Sequence, residues 1–192
     1  IKIQTNVIES AWETGVKRLL FLGSSCIYPK YASQPIKEEA LLQSSLESTN
    51  ESYAIAKIAG LKLCESLRSQ YGFDAISLMP TNLYGQNDNY HPDSSHVMAA
   101  LIRKFLIAKK ENSPSVTCWG TGHVFREFMH VDDLAEGVIF SLNNWDPSAE
   151  NAPKDSSGKP LNHLNIGTGI DLSIKELATK IAHFTDFKGD IL

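Results

Sequence analysis

Two short segments constrain the fold more than anything else in the sequence. Arg18-Leu-Leu-Phe-Leu22 and Ala75-Ile-Ser-Leu-Met79 are nearly continuous apolar runs, without the in–out alternation of a half-buried strand. A strand apolar along its whole length has to be covered on both faces, which is the condition of a parallel sheet sandwiched between helices. Each run stops abruptly in polar turn residues, Gly23-Ser24-Ser25-Cys26 after the first and Pro80-Thr81-Asn82 after the second. In open α/β sheets ligands bind beyond the carboxyl ends of strands, so these two turns are the first places to look for chemistry.

The intervening segments read as helices. Ile3, Val7, Ile8 and Ala11 recur at helical spacing over 3–14, with Gly15 as a stop. Over 52–70 the residues Tyr53, Ala56, Lys57, Gly60, Leu61, Cys64 and Leu67 fall on one broad face, closed by Gly72. Further helices are predicted over 96–108 and 132–142, and Ser173-Ile-Lys-Glu176 forms a capping box opening a last helix to Thr185. Short strands are predicted over 116–119, 127–131 and 164–166. Segment 29–50 reads as a long loop with a short helix near 38–43, and the Asn/Pro/Ser/Gly-rich 143–161 as a mobile surface loop. Strand–helix alternation of this kind is the signature of an α/β layer fold.

Composition removes several function classes. The 192 residues carry 18 Lys plus Arg against 22 Asp plus Glu, a formal charge of −4, with no basic run. That balance argues against nucleic acid or an anionic membrane surface as partner. No apolar run approaches the roughly 20 residues of a membrane-spanning helix. The three cysteines, Cys26, Cys64 and Cys118, form no CxxC pair, which argues against a disulfide scaffold or a cysteine-built zinc site. The histidines show no metal-ligand spacing, so no metal is expected.

Three features carry possible chemistry. Tyr53 and Lys57, four apart on a helix, place a phenol and an ammonium on one face, and a neighbouring cation favours the phenolate form needed for proton transfer to or from a carbonyl oxygen. Ser24, at a strand end, is placed to aim its hydroxyl at a ligand oxygen. Pro80-Thr81-Asn82-Leu83-Tyr84-Gly85 is placed to line a groove. Each has a plain alternative: an ordinary helix face, a turn serine, a strand-ending turn.

Taken together and in order, Ser24, Tyr53 and Lys57 resemble the catalytic set of the extended short-chain dehydrogenase/reductase superfamily. Arg126-Glu-Phe-Met-His-Val-Asp-Asp133 and Asn165-Ile-Gly-Thr-Gly169 resemble segments of its nucleotide-sugar branch. Phe21-Leu-Gly-Ser-Ser-Cys-Ile-Tyr-Pro-Lys30, Asn50-Glu-Ser-Tyr-Ala-Ile-Ala-Lys57, Met79-Pro-Thr-Asn-Leu-Tyr-Gly85 and His91-Pro-Asp-Ser-Ser-His96 narrow the resemblance to the GDP-L-fucose synthase family, over nearly the whole chain. The resemblance implies a Rossmann-type doubly wound parallel sheet with a smaller α/β substrate-binding lobe. Residues 1–85 would be the later half of an NADP-binding domain. Residues 86–192 would be mainly the substrate lobe, with 127–142 and 163–169 returning to the main domain.

The implied activity is NADPH-dependent 3,5-epimerisation and 4-reduction of GDP-4-keto-6-deoxy-D-mannose, in a cytoplasmic homodimer. Implied catalytic residues are Ser24, Tyr53 and Lys57, with Cys26 and His96 moving protons at C3 and C5. Implied cofactor contacts are Leu22, Gly23, Ser24, Ser25, Tyr53, Lys57, Pro80, Thr81, Asn82, Leu83 and His96. Implied contacts to the GDP-sugar are Asn82, Lys104, Trp119 and Arg126. The acid/base pairing is chemically sensible: a proton on carbon beside a ketone is acidified by enolate formation, and cysteine and histidine ordinarily titrate at about 8.5 and 6.5, on either side of neutrality. Met98, Phe105, Cys64 and Cys118 are expected in the core.

No GxxGxxG loop occurs; Gly120-Thr-Gly122 and Gly167-Thr-Gly169 lack the third glycine and the spacing. By resemblance the chain, opening at Ile1, is expected to be a piece of an enzyme of about 300 or more residues, with roughly the first 80 and several dozen C-terminal ones missing. NADP preference is therefore implied by family alone. The alternatives are another extended reductase, such as a nucleotide-sugar 4-epimerase or 4,6-dehydratase, a Cys26/His96 hydrolase, and a non-catalytic module that keeps the fold. A dehydratase would want carboxylates beside the strand-end serine, where Ser25-Cys26-Ile27 offers none; a simple 4-epimerase leaves Cys26 and His96 unexplained.

Overall fold

The computed structural model describes residues 1–192 and contains five α-helices and eight strands. They are α1 (Lys2–Glu13), β1 (Leu19–Leu22), α2 (Glu51–Tyr71), β2 (Ala75–Pro80), β3 (Asn82–Tyr84), α3 (Val97–Lys110), β4 (Ser115–Val116), β5 (Phe125–His130), α4 (Val131–Asn144), β6 (His163–Ile166), β7 (Asp171–Ser173), α5 (Ile174–Thr185) and β8 (Asp190–Ile191). Single 3-10 turns occupy Ser25–Ile27 and Glu38–Ala40. Two compact units form, one from Ile1–Thr81 with Asp133–Ile166, the other from Asn82–Asp132 with Gly167–Leu192.

The first unit is built on a parallel sheet in the order β1-β2-β6, with Leu22 opposite Leu78 and Met79 opposite Asn165. Every residue of β2 is buried, as its unbroken apolar run requires. Strand alternation sends Ala75 and Met79 to the side of α1 and α2, where Ile8, Cys64, Leu67, Ile58 and Leu61 pack. Ile76 and Leu78 go to the opposite side, against Trp145 and Val138 of the α4 segment. Helix α2 approaches the sheet closely because Gly60 has no side chain: a Cβ there would lie 2.6 Å from Phe21 Cζ and 2.7 Å from Gln4 Nε2. The helix ends on Gly72 at φ 70°, a left-handed cap that a glycine adopts without the Cβ penalty. At the amino ends of the strands, Arg18 pairs with Asp74 at 2.8 Å and donates to the Trp145 carbonyl at 2.6 Å. Of the segment 143–161 expected as a mobile loop, the first two residues end α4, and the rest is irregular but tied down. Trp145 and Ala152 are buried, and Lys154 bridges Pro160.

The second unit packs α3 against α5. Phe105 is its centre, fully buried and edge-on to Phe187 at 5.4 Å, with Leu101, Val116, Leu177 and Ile181 around it. The expected capping box is present: Ser173 Oγ accepts the Glu176 N–H at 3.1 Å and the Glu176 carboxylate accepts the Ser173 N–H at 2.8 Å. Parallel β3 and antiparallel β7 flank β5, while β4 pairs with β8.

Three expectations need correcting. The strand expected over 116–119 is confined to Ser115–Val116, the two residues in register with Asp190 and Ile191, before the chain turns through Gly120 at φ 84°. Cys118 is only half-buried at the edge of the second core, whereas Cys64 is fully buried. The buried stripe of α2 runs through Ala54, Ile58, Leu61, Cys64 and Leu67, so Tyr53 and Lys57 lie beside that stripe and not on it.

Candidate active site

In the first unit the carboxyl end of β1 carries most of the expected catalytic groups. The sheet ladder fixes it: the Gly23 N–H donates to the Leu78 carbonyl at 2.9 Å, and a Cβ on Gly23 would meet Met79 Sδ at 2.3 Å. Beyond Gly23 the chain turns through Ser25–Ile27, with Ser24 as the N-cap whose Oγ accepts the Cys26 N–H at 3.2 Å. Ser24, Ser25 and Cys26 are all half-buried. Helix α2 crosses above this end and brings in Lys57. Its Nζ donates to the Leu22 carbonyl at 2.8 Å and lies 5.2 Å from the Phe21 ring and 5.9 Å from the Tyr53 ring. Partial burial holds the Lys57 ammonium below the usual lysine range. Tyr53 is 49% exposed, so its phenol is open to a ligand. Beside β1, buried Pro80 ends β2 and the Thr81 N–H donates to the Ile166 carbonyl at 3.2 Å.

This donor set suits one end of a dinucleotide. An ammonium, a phenol and a hydroxyl belonging to one strand end and the helix above it match the vicinal hydroxyls of a ribose and the oxygen of a carbonyl being reduced. The residues present therefore fit the nicotinamide-riboside end of the expected cofactor.

The second unit carries the remaining expected residues. Asn82 opens β3, where its Nδ2 donates to the Glu127 carbonyl at 2.9 Å, and Leu83 follows, half-buried. His96 is the N-cap of α3 in an extended conformation, with an exposed side chain that does not cap the helix. Lys104, nearly two turns before the end of α3, donates to the Thr117 carbonyl at 3.2 Å and sits 4.6 Å over the ring of Trp119. Trp119 is 87% exposed, which rules out a core role and leaves a flat aromatic face with a cation above it. Arg126 is exposed on β5, its guanidinium held to the Phe125 carbonyl at 2.7 Å. Met98 packs against the core and Phe105 is its centre.

Three anchoring residues escaped the sequence reading. Glu127, in the Arg126 segment, accepts the Gly169 N–H at 2.7 Å, and a Cβ on Gly167 would lie 2.1 Å from its Oε1. The glycines of the 167–169 turn thus make room for a carboxylate from β5. The other two, Tyr28 and Asn165, are bonded to each other, hydroxyl to amide oxygen.

The sequence matches the NAD dependent epimerase/dehydratase family over residues 1–167. It is 56% identical to GDP-L-fucose synthase 1 of Arabidopsis thaliana over 100% of this chain and 55% of that protein. It is 51% identical to GDP-L-fucose synthase of Escherichia coli K12 over 99% of this chain and 58% of that one. The chain therefore spans little more than half the length of these curated relatives. A solved structure of a GDP-6-OMe-4-keto-L-xylo-heptose reductase from C. jejuni superposes with a TM-score of 0.90 at 40% identity, covering 99% of this chain and 62% of that one. The parallel sheet, the strand-end Ser24 with Lys57 and Tyr53 above it, and the match over most of the chain agree: the protein belongs to the NAD dependent epimerase/dehydratase family.

Proposed function

We propose that the protein of which this chain is part converts GDP-4-keto-6-deoxy-D-mannose to GDP-L-fucose, epimerising C3 and C5 and reducing C4 with NADPH. The observation that carries this reading is the anchoring of Lys57 to the Leu22 carbonyl at 2.8 Å, beside Tyr53 and above the turn that bears Ser24 and Cys26. The similarity to proteins named GDP-L-fucose synthase supports the choice of substrate.

In this reading Cys26 and His96 form the acid/base pair: one removes the proton from carbon beside the C4 ketone, and the other returns a proton to the opposite face. Ser24 Oγ and the Tyr53 hydroxyl hydrogen-bond to O4 and stabilise the enolate that each epimerisation passes through. Tyr53 then gives its proton to O4 as the carbonyl becomes an alcohol. Lys57 stabilises the phenolate left behind and holds the ribose hydroxyls. Bound NADPH supplies the two-electron reducing equivalent for C4. Leu22, Gly23, Ser24, Ser25, Tyr53, Lys57, Pro80, Thr81, Asn82, Leu83 and His96 hold the cofactor. Asn82 and the Lys104–Trp119 pair take the sugar and base, and Arg126 grips the diphosphate, for which a guanidinium fork is suited.

Residues 1–85 serve as the later half of the NADP-binding domain and 86–192 mainly as the substrate lobe. A cytoplasmic homodimer pairing through α2, whose Ile55 is 48% exposed, belongs to the same reading. No helix is long and apolar enough to cross a membrane.

The test is to supply full-length protein with GDP-4-keto-6-deoxy-D-mannose and either NADPH or NADH, and to identify the product. GDP-L-fucose formed faster with NADPH is expected. A 4-reduced product that keeps its original C3 and C5 configuration, or no product, overturns the reading.

A further inference from the structure

The turn that carries Cys26 is weakly held by its own bonds. It is three residues of 3-10 helix, a geometry with poorer hydrogen bonds than the α-helix. Ile27 N–H reaches the Ser24 carbonyl at 3.2 Å and Tyr28 N–H reaches Ser25 at 3.3 Å. Such a segment takes its orientation from its two ends. The upstream end is the β1 ladder. At the downstream end Ile27 and Tyr28 are buried among Ile58, Leu61 and Met79. Apolar burial fixes depth but has no direction. Direction comes from one hydrogen bond: the Tyr28 hydroxyl donates to Asn165 Oδ1 at 2.6 Å.

Asn165 makes two more bonds to the same stretch of chain. Its Nδ2 donates to the Ile36 carbonyl at 2.9 Å, and its backbone N–H donates to Glu38 Oε1 at 2.8 Å. The amide is used in one sense only, its oxygen facing a hydroxyl donor and its nitrogen facing a carbonyl acceptor. An aspartate would set a carboxylate oxygen against the Ile36 carbonyl, and an alanine would leave both partners unpaired. Burial, and secondarily the Glu38 charge, push the Tyr28 phenol above its ordinary range, so it stays a donor throughout the neutral range. One residue on β6 thus secures both the base of the Cys26 turn and the loop that follows it. The segment Asn165-Ile-Gly-Thr-Gly169 gains a reason for its asparagine.

We propose that Asn165, acting through Tyr28, is a positioning residue that aims the Cys26 thiol for proton transfer. The inference rests on the acid/base role of Cys26 proposed above. Displacing a reacting group by about 1 Å costs on the order of a hundredfold in rate.

The experiment compares Tyr28→Phe, Asn165→Ala, Asn165→Asp, Glu39→Gln and Cys26→Ser in the full-length protein. It reads solvent deuterium incorporation at C3 and C5 at saturating GDP-sugar, the KM for that sugar, and the rate at which iodoacetamide alkylates Cys26, mapped by peptide mass. Tyr28→Phe and both Asn165 variants are expected to slow exchange at least about tenfold with KM changed less than about threefold. In the same variants Cys26 alkylation is expected to rise about threefold or more, as the turn opens more often. A residue that merely supports folding lowers the active fraction and leaves the alkylation rate of folded protein unmoved. Glu39→Gln, which loosens the same loop at its contact with the Ser156 N–H, is expected to keep wild-type exchange within about twofold. Wild-type exchange and alkylation in Tyr28→Phe, which keeps the buried ring, overturns the inference, as does a Glu39→Gln loss equal to that of Asn165→Ala. If Cys26→Ser itself exchanges at the wild-type rate, the assigned role of Cys26 fails, and the inference falls with it.

Discussion

Replacing Lys57 with methionine separates chemistry from architecture. The ammonium makes one hydrogen bond, to the Leu22 carbonyl at 2.8 Å, and cation–π contacts with the Phe21 and Tyr53 rings at 5.2 and 5.9 Å. In a partly solvated position these contribute about 1 kcal/mol and about 0.5 kcal/mol. Against them stands the desolvation that holds the Lys57 ammonium below its ordinary range. Because burial is the cause of that shift and its direction is downward, the surroundings disfavour the charge on balance. Methionine keeps the unbranched stem over Phe21 and removes the charge. The stability change is therefore within about 1 kcal/mol of zero, a melting shift of about 4 °C or less for a chain of this size. NADPH oxidation should fall at least about a hundredfold, the usual scale for losing assistance to a proton-transfer group. The assay pairs a melting curve of full-length protein with the decay of NADPH absorbance on the ketosugar. A stability loss above about 3 kcal/mol would show Lys57 to be a structural tether, and retention of half the activity would remove it from the catalytic set; either outcome refutes the reasoning.

Tyr53→Phe should lower NADPH oxidation by about 10²-fold or more while the melting temperature stays unchanged, since Tyr53 is 49% exposed. Trp119→Ala, at an 87% exposed position, should leave stability within about 0.5 kcal/mol yet raise the KM for the GDP-sugar about tenfold through loss of stacking surface. The Glu176 carboxyl is held below its ordinary value by hydrogen bonds from the Ser173 hydroxyl and backbone N–H. A depressed folded-state value means that the stabilisation is fully present above the unfolded value, about 4.3, and is lost as pH falls through the folded one. Melting temperature measured from about pH 5 down to about pH 3 should therefore fall less steeply in Glu176→Gln than in the natural chain.

What could be read from the sequence was what depends on near neighbours. The run from Leu19 to Leu22 and the run from Ala75 to Met79 announced buried parallel strands, because apolar continuity follows from burial on two faces. The capping box at Ser173 was legible because both partners lie within one turn. The face of α2 was not: Tyr53 and Lys57 share the i, i+4 spacing of core residues, and only packing against β2 and α1 shows that the buried stripe is Ala54, Ile58, Leu61, Cys64 and Leu67. Strands of two or three residues, such as β3, β7 and β8, exist because a distant partner pairs with them, so the local pattern holds no trace of them. The bond from Tyr28 to Asn165 spans 137 positions, and no periodicity reaches that far.

The three cysteines show most directly how environment assigns a role that residue identity leaves open. Proton transfer needs a thiol that can ionise near neutrality and that a substrate can reach. Cys64 fails on both counts: it is 1% exposed between α2 and β2, and burial pushes its thiol up to about 12. Cys118 is half-buried, and burial raises its thiol despite the opposing charge of Lys104. Cys26 follows the carboxyl end of β1, in a turn that also presents the Ser24 hydroxyl and is crossed by the helix that carries Lys57. The strand end supplies polar neighbours without fully burying the residue, and that setting, rather than any feature of cysteine itself, is why the acid/base role is proposed for Cys26 and not for the other two.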